Sequence, residues 1–93
     1  MKVKTTFKGT IELEKEPFAS GGEGKIFRIK KPANVPFCVK IYNEDKRSLR
    51  EAKILYMINN IPPNPISANE IICWPMDAVY YKQKFIGYVM PLA

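Results

Sequence analysis

Residues 19–27 read ASGGEGKIF, three glycines and a lysine in a short run that ends in apolar side chains. Glycine lets backbone approach a phosphate closely or take up φ > 0, and Gly21 and Gly24 are the positions where this matters most. A second lysine, Lys40, stands inside the apolar run Phe37-Cys38-Val39-Lys40. It points either to solvent or to an anion. Glu51 shares a helical spacing of i, i+3, i+4 and i+7 with Ile54, Leu55 and Ile58, which puts a carboxylate on an apolar stripe. An unpaired carboxylate there is costly. Lys40 is its natural partner, and the local alternative is Arg47 at i−4, worth only about 0.2–0.5 kcal/mol. Other chemistries are removed by composition. The chain has no histidine, which excludes His-activated nucleophiles, His general bases and His-containing zinc sites. Aspartate occurs only at Asp45 and Asp77. Cys38 and Cys73 sit in apolar runs without metal-type spacing and read as buried thiols of a reducing cytosol, not as a disulfide.

The elements that must position these groups follow from periodicity. Val3 to Phe7 and Ile11 to Glu14 alternate apolar and polar around a turn at Lys8-Gly9, the period-2 signature of strands. Lys25 to Ile29 is a strand ended by Lys30-Lys31-Pro32, and Pro36 to Tyr42 is strongly β-prone. Asn43 is suited to cap a helix, with Glu44 and Asp45 in its first turn. That helix runs to Ile58 and is stopped by Asn59-Asn60 and Pro62-Pro63. Two further strands, Ile71 to Tyr81 and Lys84 to Met90, meet around Lys82-Gln83. Short turns favour antiparallel neighbours. The fold class expected is α+β: an open five-stranded antiparallel sheet, an extra N-terminal strand, and one helix on one face.

The chemistry of the loop depends on the element it leads into. A Walker A loop needs a hydroxyl residue after Gly-Lys and must open a helix; Ile26 and the β-prone KIFRI run exclude it. A dinucleotide-binding G-x-G-x-x-G loop also opens a helix and fails likewise. A glycine-rich loop joining two antiparallel strands remains, and Ala19-Ser20-Gly21-Gly22-Glu23-Gly24-Lys25-Ile26 resembles the protein-kinase loop except that Ala19 replaces its first glycine. FCVK resembles the kinase lysine strand, and CWPMDAVYYKQKFIGYVMPLA resembles the last two strands of the ATP-binding lobe running into the hinge. GGEG together with WPMD and GYVMP is similar to bacterial kinase-like proteins.

This resemblance covers residues 10–93, with residues 1–9 as an extension strand, in a single domain spanning 1–93. It implies a Ser/Thr-type lobe that holds ATP, with Ala19, Gly21, Gly22 and Gly24 over the phosphates and Ile26 and Cys38 against the adenine. Lys40 would take the α- and β-phosphates and Glu51 would orient it. Met90 would be the gatekeeper, and the Pro91 carbonyl and Ala93 amide would face the adenine edge. Glu23 at the loop tip would repel phosphate, so it faces solvent or a basic residue of another lobe. The Mg²⁺ ligands, the catalytic aspartate and the activation loop belong to a C-terminal lobe, and neither HRD nor DFG is present. The chain is therefore expected to be incompetent in phosphotransfer alone, an excised piece or a truncated or split product whose partner is that lobe. An exposed apolar underside would favour self-association.

The totals agree with a small globular domain. A chain of 93 residues buries only roughly 60–65% of its unfolded surface, so its core is modest. No apolar run approaches the ~20 residues of a membrane span and no secretory leader is visible, so a cytoplasmic protein is expected; the resemblance implies a bacterial one. A net charge of +6 invites nucleic acid, but the lysines are dispersed and nucleic acid is not an expected partner. The alternatives to a kinase lobe are a pseudokinase or split-kinase regulatory module, and a small basic nucleic-acid-binding domain.

Overall fold

Side chains alternate between the two faces of a strand, and KVKT at Lys2–Thr5 (β1) accordingly buries Val3 and Thr5 and leaves Lys2 and Lys4 in solvent. The computed structural model, which describes residues 1–6, 8–60 and 74–92, continues this pattern through β2 (Gly9–Leu13), where Ile11 and Leu13 turn inward. Gly9 joins the two strands at φ 69°, a left-handed conformation that glycine adopts without steric cost. The Thr5 hydroxyl donates to the Gly9 carbonyl at 3.0 Å and accepts from the Lys8 amide at 3.1 Å. A two-residue strand β3 (Ala19–Ser20) then precedes β4 (Gly24–Lys31) and β5 (Phe37–Tyr42). The helix α1 (Glu44–Ile58) and the hairpin of β6 (Asp77–Tyr81) and β7 (Lys84–Pro91) complete the chain. Of the strand expected over Ile71 to Tyr81, Ile71 to Cys73 lie outside the described residues and Trp74 to Met76 are not in a strand, so it begins only at Asp77.

The strands are ordered β2-β1-β6-β7-β5-β4, with β3 hung on β4, and β2 returns to pair with β4. That last pairing, Glu12 with Lys31 and Leu13 with Ile29, closes the sheet. The open five-stranded kinase-lobe sheet expected from the sequence is thus overturned: the domain is a closed six-stranded antiparallel barrel plus one helix. Its first strand is no appended extension but a stave between β2 and β6. The physical reason is a register irregularity between Glu12 and Leu13, which bends β2 away from β1 and onto β4, as bulges do at barrel corners. Closure also explains why β4 runs through Lys30 and Lys31 instead of ending before them. Lys31 has a partner across the seam in Glu12.

The barrel interior is apolar, formed by Val3, Ile11, Leu13, Ile29, Val39, Ile41, Val79, Ile86 and Val89. Each such side chain contributes about 1.5–3 kcal/mol when fully buried. The ion pair Lys30–Glu12 beside the seam, 3.9 Å apart with an exposed lysine and a part-buried glutamate, is worth about 1 kcal/mol. The interior, not the seam charges, holds the barrel. Ile86 enters it through a bulge, since Gly87 opposes Val79 while Phe85 already opposes Tyr80.

Outside the barrel, Ile54 of α1 packs with Leu55, Met57 and Ile58 on Tyr42, Ala78, Phe85 and Tyr88. The Tyr42 ring lies 5.8 Å from Tyr88 and 6.3 Å from Phe85. The Trp74 indole N–H donates to the Met57 carbonyl at 2.8 Å, tying the last turn of the helix to the approach of β6. No helix of the described residues is long and apolar enough to cross a membrane.

Two glycines clamp the lysine strand. A methyl group on Gly87 would collide with the Lys40 carbonyl, and one on Gly24 with the Ile41 carbonyl. Both contacts are with β5 backbone, which cannot give way without moving the barrel. Gly87→Ala and Gly24→Ala should therefore each destabilise by about 1–3 kcal/mol in urea unfolding. Gly21→Ala, with open space around it, should stay within about 0.5 kcal/mol of the parent. Equal losses at all three positions would refute the clamp.

Candidate functional site

The glycine run forms a β-hairpin tip. Ala19 pairs with Ile26 and Ser20 with Lys25, and the Gly21 amide donates to the Gly24 carbonyl at 2.9 Å. Gly22 and Glu23 are therefore the two residues of the turn. The run does join two antiparallel strands, as KIFRI suggested. The glycines serve differently from expectation, however. Neither Gly21 nor Gly24 takes positive φ; Gly24 is required because β5 passes against it.

The tip is held by α1. The Asn43 amide N–H donates to the Glu23 carbonyl at 2.7 Å and its side-chain Nδ2 donates to the Gly22 carbonyl at 3.1 Å. Asn43 does precede the helix, but its side chain makes no capping hydrogen bond. It fastens the hairpin instead. Further along α1, Arg50 Nε lies 2.8 Å from Glu23 Oε1. Glu23 has thus found a basic partner within its own domain.

The helix also decides which residue meets Lys40. An α-helix advances about 100° per residue, so two stripes one residue apart compete for the sheet. In the structure Arg50, Lys53, Ile54 and Met57 border one concavity with Lys40, Tyr42 and Tyr88. Glu51 is turned to the neighbouring side, lining a different depression with Arg47, Ser48 and Lys84. Among the described residues neither Lys40–Glu51 nor Arg47–Glu51 forms an ion pair, and Arg47 Nε donates to the Tyr42 carbonyl at 3.0 Å. The expected lysine–glutamate pair is replaced by Arg50–Glu23, with Lys40 close by. Sequence reasoning missed Arg50, although Arg50, Lys53, Ile54 and Met57 show the i, i+3, i+4, i+7 spacing as well as the stripe of Glu51 does.

Two concavities meet at Lys40 and Glu23. The first, about 320 Å³, lies under the hairpin and brings together Ala19, Gly21, Gly22, Gly24, Ile26 and Lys40. The second, about 280 Å³, carries Arg50 and Lys53. Lys40 is half-buried with its Nζ 5.2 Å from the centre of the Tyr42 ring, a cation–π contact that holds the ammonium near both spaces. Directly opposed residues share a face. Ile26 and Tyr88 therefore flank Lys40, and Met90 lies beside Cys38, on the outer surface of the barrel. Cys38 and Met90 are buried and border neither concavity. Pro91 is the last residue of β7, opposite Phe37. Ala93 and Cys73 fall outside the described residues.

The electrostatics follow from these contacts. The Arg50 hydrogen bond holds the Glu23 carboxyl below the usual glutamate range against the opposing effect of desolvation, with the charges of Arg50, Lys40 and Lys46 adding to the lowering. Glu23 in return raises Arg50. Burial, with the nearby Glu23 charge, pushes the Tyr42 phenol up, so it stays neutral. Asp77 is buried, and its Oδ1 accepts from the Ala78 amide at 2.8 Å and the Thr6 amide at 3.2 Å. It is a structural acid that docks the β1–β2 turn on β6.

No family model matches this chain, and no curated protein and no solved structure is detectably similar to it.

A carboxylate whose folded-state pKa is depressed favours the folded arrangement above its unfolded value, and that advantage is lost as pH falls through the folded one. The Glu23 latch should therefore hold at neutral pH and open below the usual glutamate range. An NMR titration of the Glu23 carboxyl should give a midpoint below that of a free glutamate, returning to it in Arg50→Gln. The protection factor of the Asn43 amide, taken against the intrinsic exchange rate at each pH, should fall over the same window. A midpoint indifferent to Arg50→Gln would show that the pair is not formed in solution.

Proposed function

We propose that the chain is an ATP-binding module that holds the nucleotide's phosphates under the glycine hairpin. In phosphotransfer it serves as the nucleotide-holding half of a Ser/Thr-type kinase and is not competent alone. The observation that carries this reading is the concavity beneath the hairpin, which the glycine run and Lys40 line together. The barrel architecture contributes nothing to it; the proposal rests on the site.

Phosphate chemistry suits these residues. Kinase-type phosphoryl transfer asks the protein chiefly for positioning and charge stabilisation. Lys40 is a compact cation on a flexible stem, and Arg50 adds a planar fork matched to phosphate oxygens. Glu23 pairs with Arg50, as an internal anion in the place a phosphate would take. Bound ATP exchanges with that carboxylate and adds Lys53 at the rim of the same space. Mg²⁺ would come with the nucleotide and screen charge between its phosphates. Its protein ligands would come from a second body, because Asp77 is committed to backbone amides and Asp45 is in the first turn of α1, away from the hairpin concavity. That body is the natural cover for Leu49 and Tyr56, the large apolar side chains α1 leaves exposed.

Calorimetry and thermal unfolding with Mg·ATP test the proposal. At about 100 times its Kd, ATP should stabilise the domain by about 2.7 kcal/mol. Lys40→Ala should abolish the effect and Arg50→Gln should weaken affinity about tenfold. Glu23→Gln, which removes the competing carboxylate, should tighten it several-fold, while Glu51→Gln leaves it unchanged. Stabilisation that survives Lys40→Ala, or that adenosine reproduces without phosphates, would overturn the assignment.

A further inference from the structure

On the far side of the barrel from the hairpin, Lys2, Lys4, Thr10, Tyr80, Tyr81 and Lys82 border a groove of about 610 Å³. Three of these side chains are lysines and none is acidic. The groove shares Lys2 and Thr10 with a second depression that ends at Lys31. Together they form one basic track across β6, β1, β2 and the edge of β4. At the ~4.8 Å spacing of strands, those three intervals span about 14 Å. The acid that lines the second depression, Glu12, is already opposed by Lys30 at 3.9 Å.

The turn at one end is an independent observation. Lys82 and Gln83 both take left-handed φ, 51° and 67°, in the two-residue turn closed by the Tyr81–Lys84 pair. Such a turn favours Asn-Gly or Gly-Gly, and non-glycine residues there carry a local cost. That cost is borne where the residues serve as side chains. Both face the groove. Lys82 places its ammonium 5.4 Å from the centre of the Tyr81 ring, and Tyr81 is 41% exposed, a large flat ring open to a ligand.

We infer that this groove binds single-stranded nucleic acid, with the sugar-phosphate chain along Lys82, Lys4, Lys2 and Lys31 and a base stacked on Tyr81. Cations tracking a groove with an aromatic platform at one end are what single strands use. The Lys40 site is elsewhere on the barrel, so the inference stands apart from ATP binding.

Fluorescence anisotropy on the full chain decides it, with labelled oligo-uridine and oligo-thymidine of about twelve nucleotides, a duplex of the same length, and phosphatidylserine vesicles. Both single strands should bind at about 50 mM salt, the duplex at least about tenfold more weakly. The salt slope should be about −2 to −3 for roughly three to four neutralised phosphates. Lys4→Gln should reduce that slope by about 0.7. Tyr81→Ala should weaken binding about tenfold and Tyr81→Phe should restore it. The inference is overturned if no single strand binds, if duplex or vesicles bind as well or better, if Mg·ATP displaces the oligonucleotide, or if Lys4→Gln and Tyr81→Ala leave binding unmoved.

Discussion

Pairing of β2 with β4 is the constraint on which the remainder depends. Without the contacts of Glu12 with Lys31 and Leu13 with Ile29, the sheet would have two open edges and an apolar face with nothing to cover it. With them, Val3, Ile11 and Leu13 become the filling of a cylinder, and no long hydrogen-bonding edge is left among the described strands to recruit other chains. A domain of 93 residues has few apolar side chains for its core. Closing the sheet on itself lets one set serve both halves of the core.

Closure also frees the outer surface. One helix covers only the part over β5, β6 and β7, and the two regions it leaves open differ in chemistry. Beside the helix, Lys40 is fixed because Gly24 and Gly87 allow the neighbouring backbones to press against β5. The hairpin above it is steered by Asn43 and by the Glu23–Arg50 pair. On the opposite side, lysines alternate with inward-facing valine and threonine on β1, a basic outer wall that arises from the same period-2 pattern that builds the core. Core and surface charge are thus two consequences of one alternation.

Local order was largely legible in the chain. The helix beginning after Asn43 and ending at Ile58, the strand carrying Lys40, and the hairpin character of the glycine run come from periodicity, β-propensity and turn residues. Ala19, Gly21, Gly22, Gly24 and Ile26 border one concavity with Lys40, a grouping the sequence offered only through the kinase resemblance. What failed was long-range or rotational. Leu13 looked the same whether its strand ended an open sheet or crossed to Ile29. Glu51 and Arg50 each sat on a plausible stripe, and the rotation of about 100° between them was settled only by how Ile54 and Met57 seated on Tyr42 and Tyr88. Asn43 read as a cap and became a fastener, since the Gly22 carbonyl that takes its amide arrives from 21 residues away.

Residue order alone dictated most of the strands and where the helix lies. These depend on dihedral preferences and side-chain alternation within a few residues. The packed chain alone dictated that the sheet closes, that Arg50 and not Glu51 shares the site, and that Glu23 is its counter-ion. Each of those depends on contacts between distant segments, and their free energies compare arrangements that local preference leaves equal.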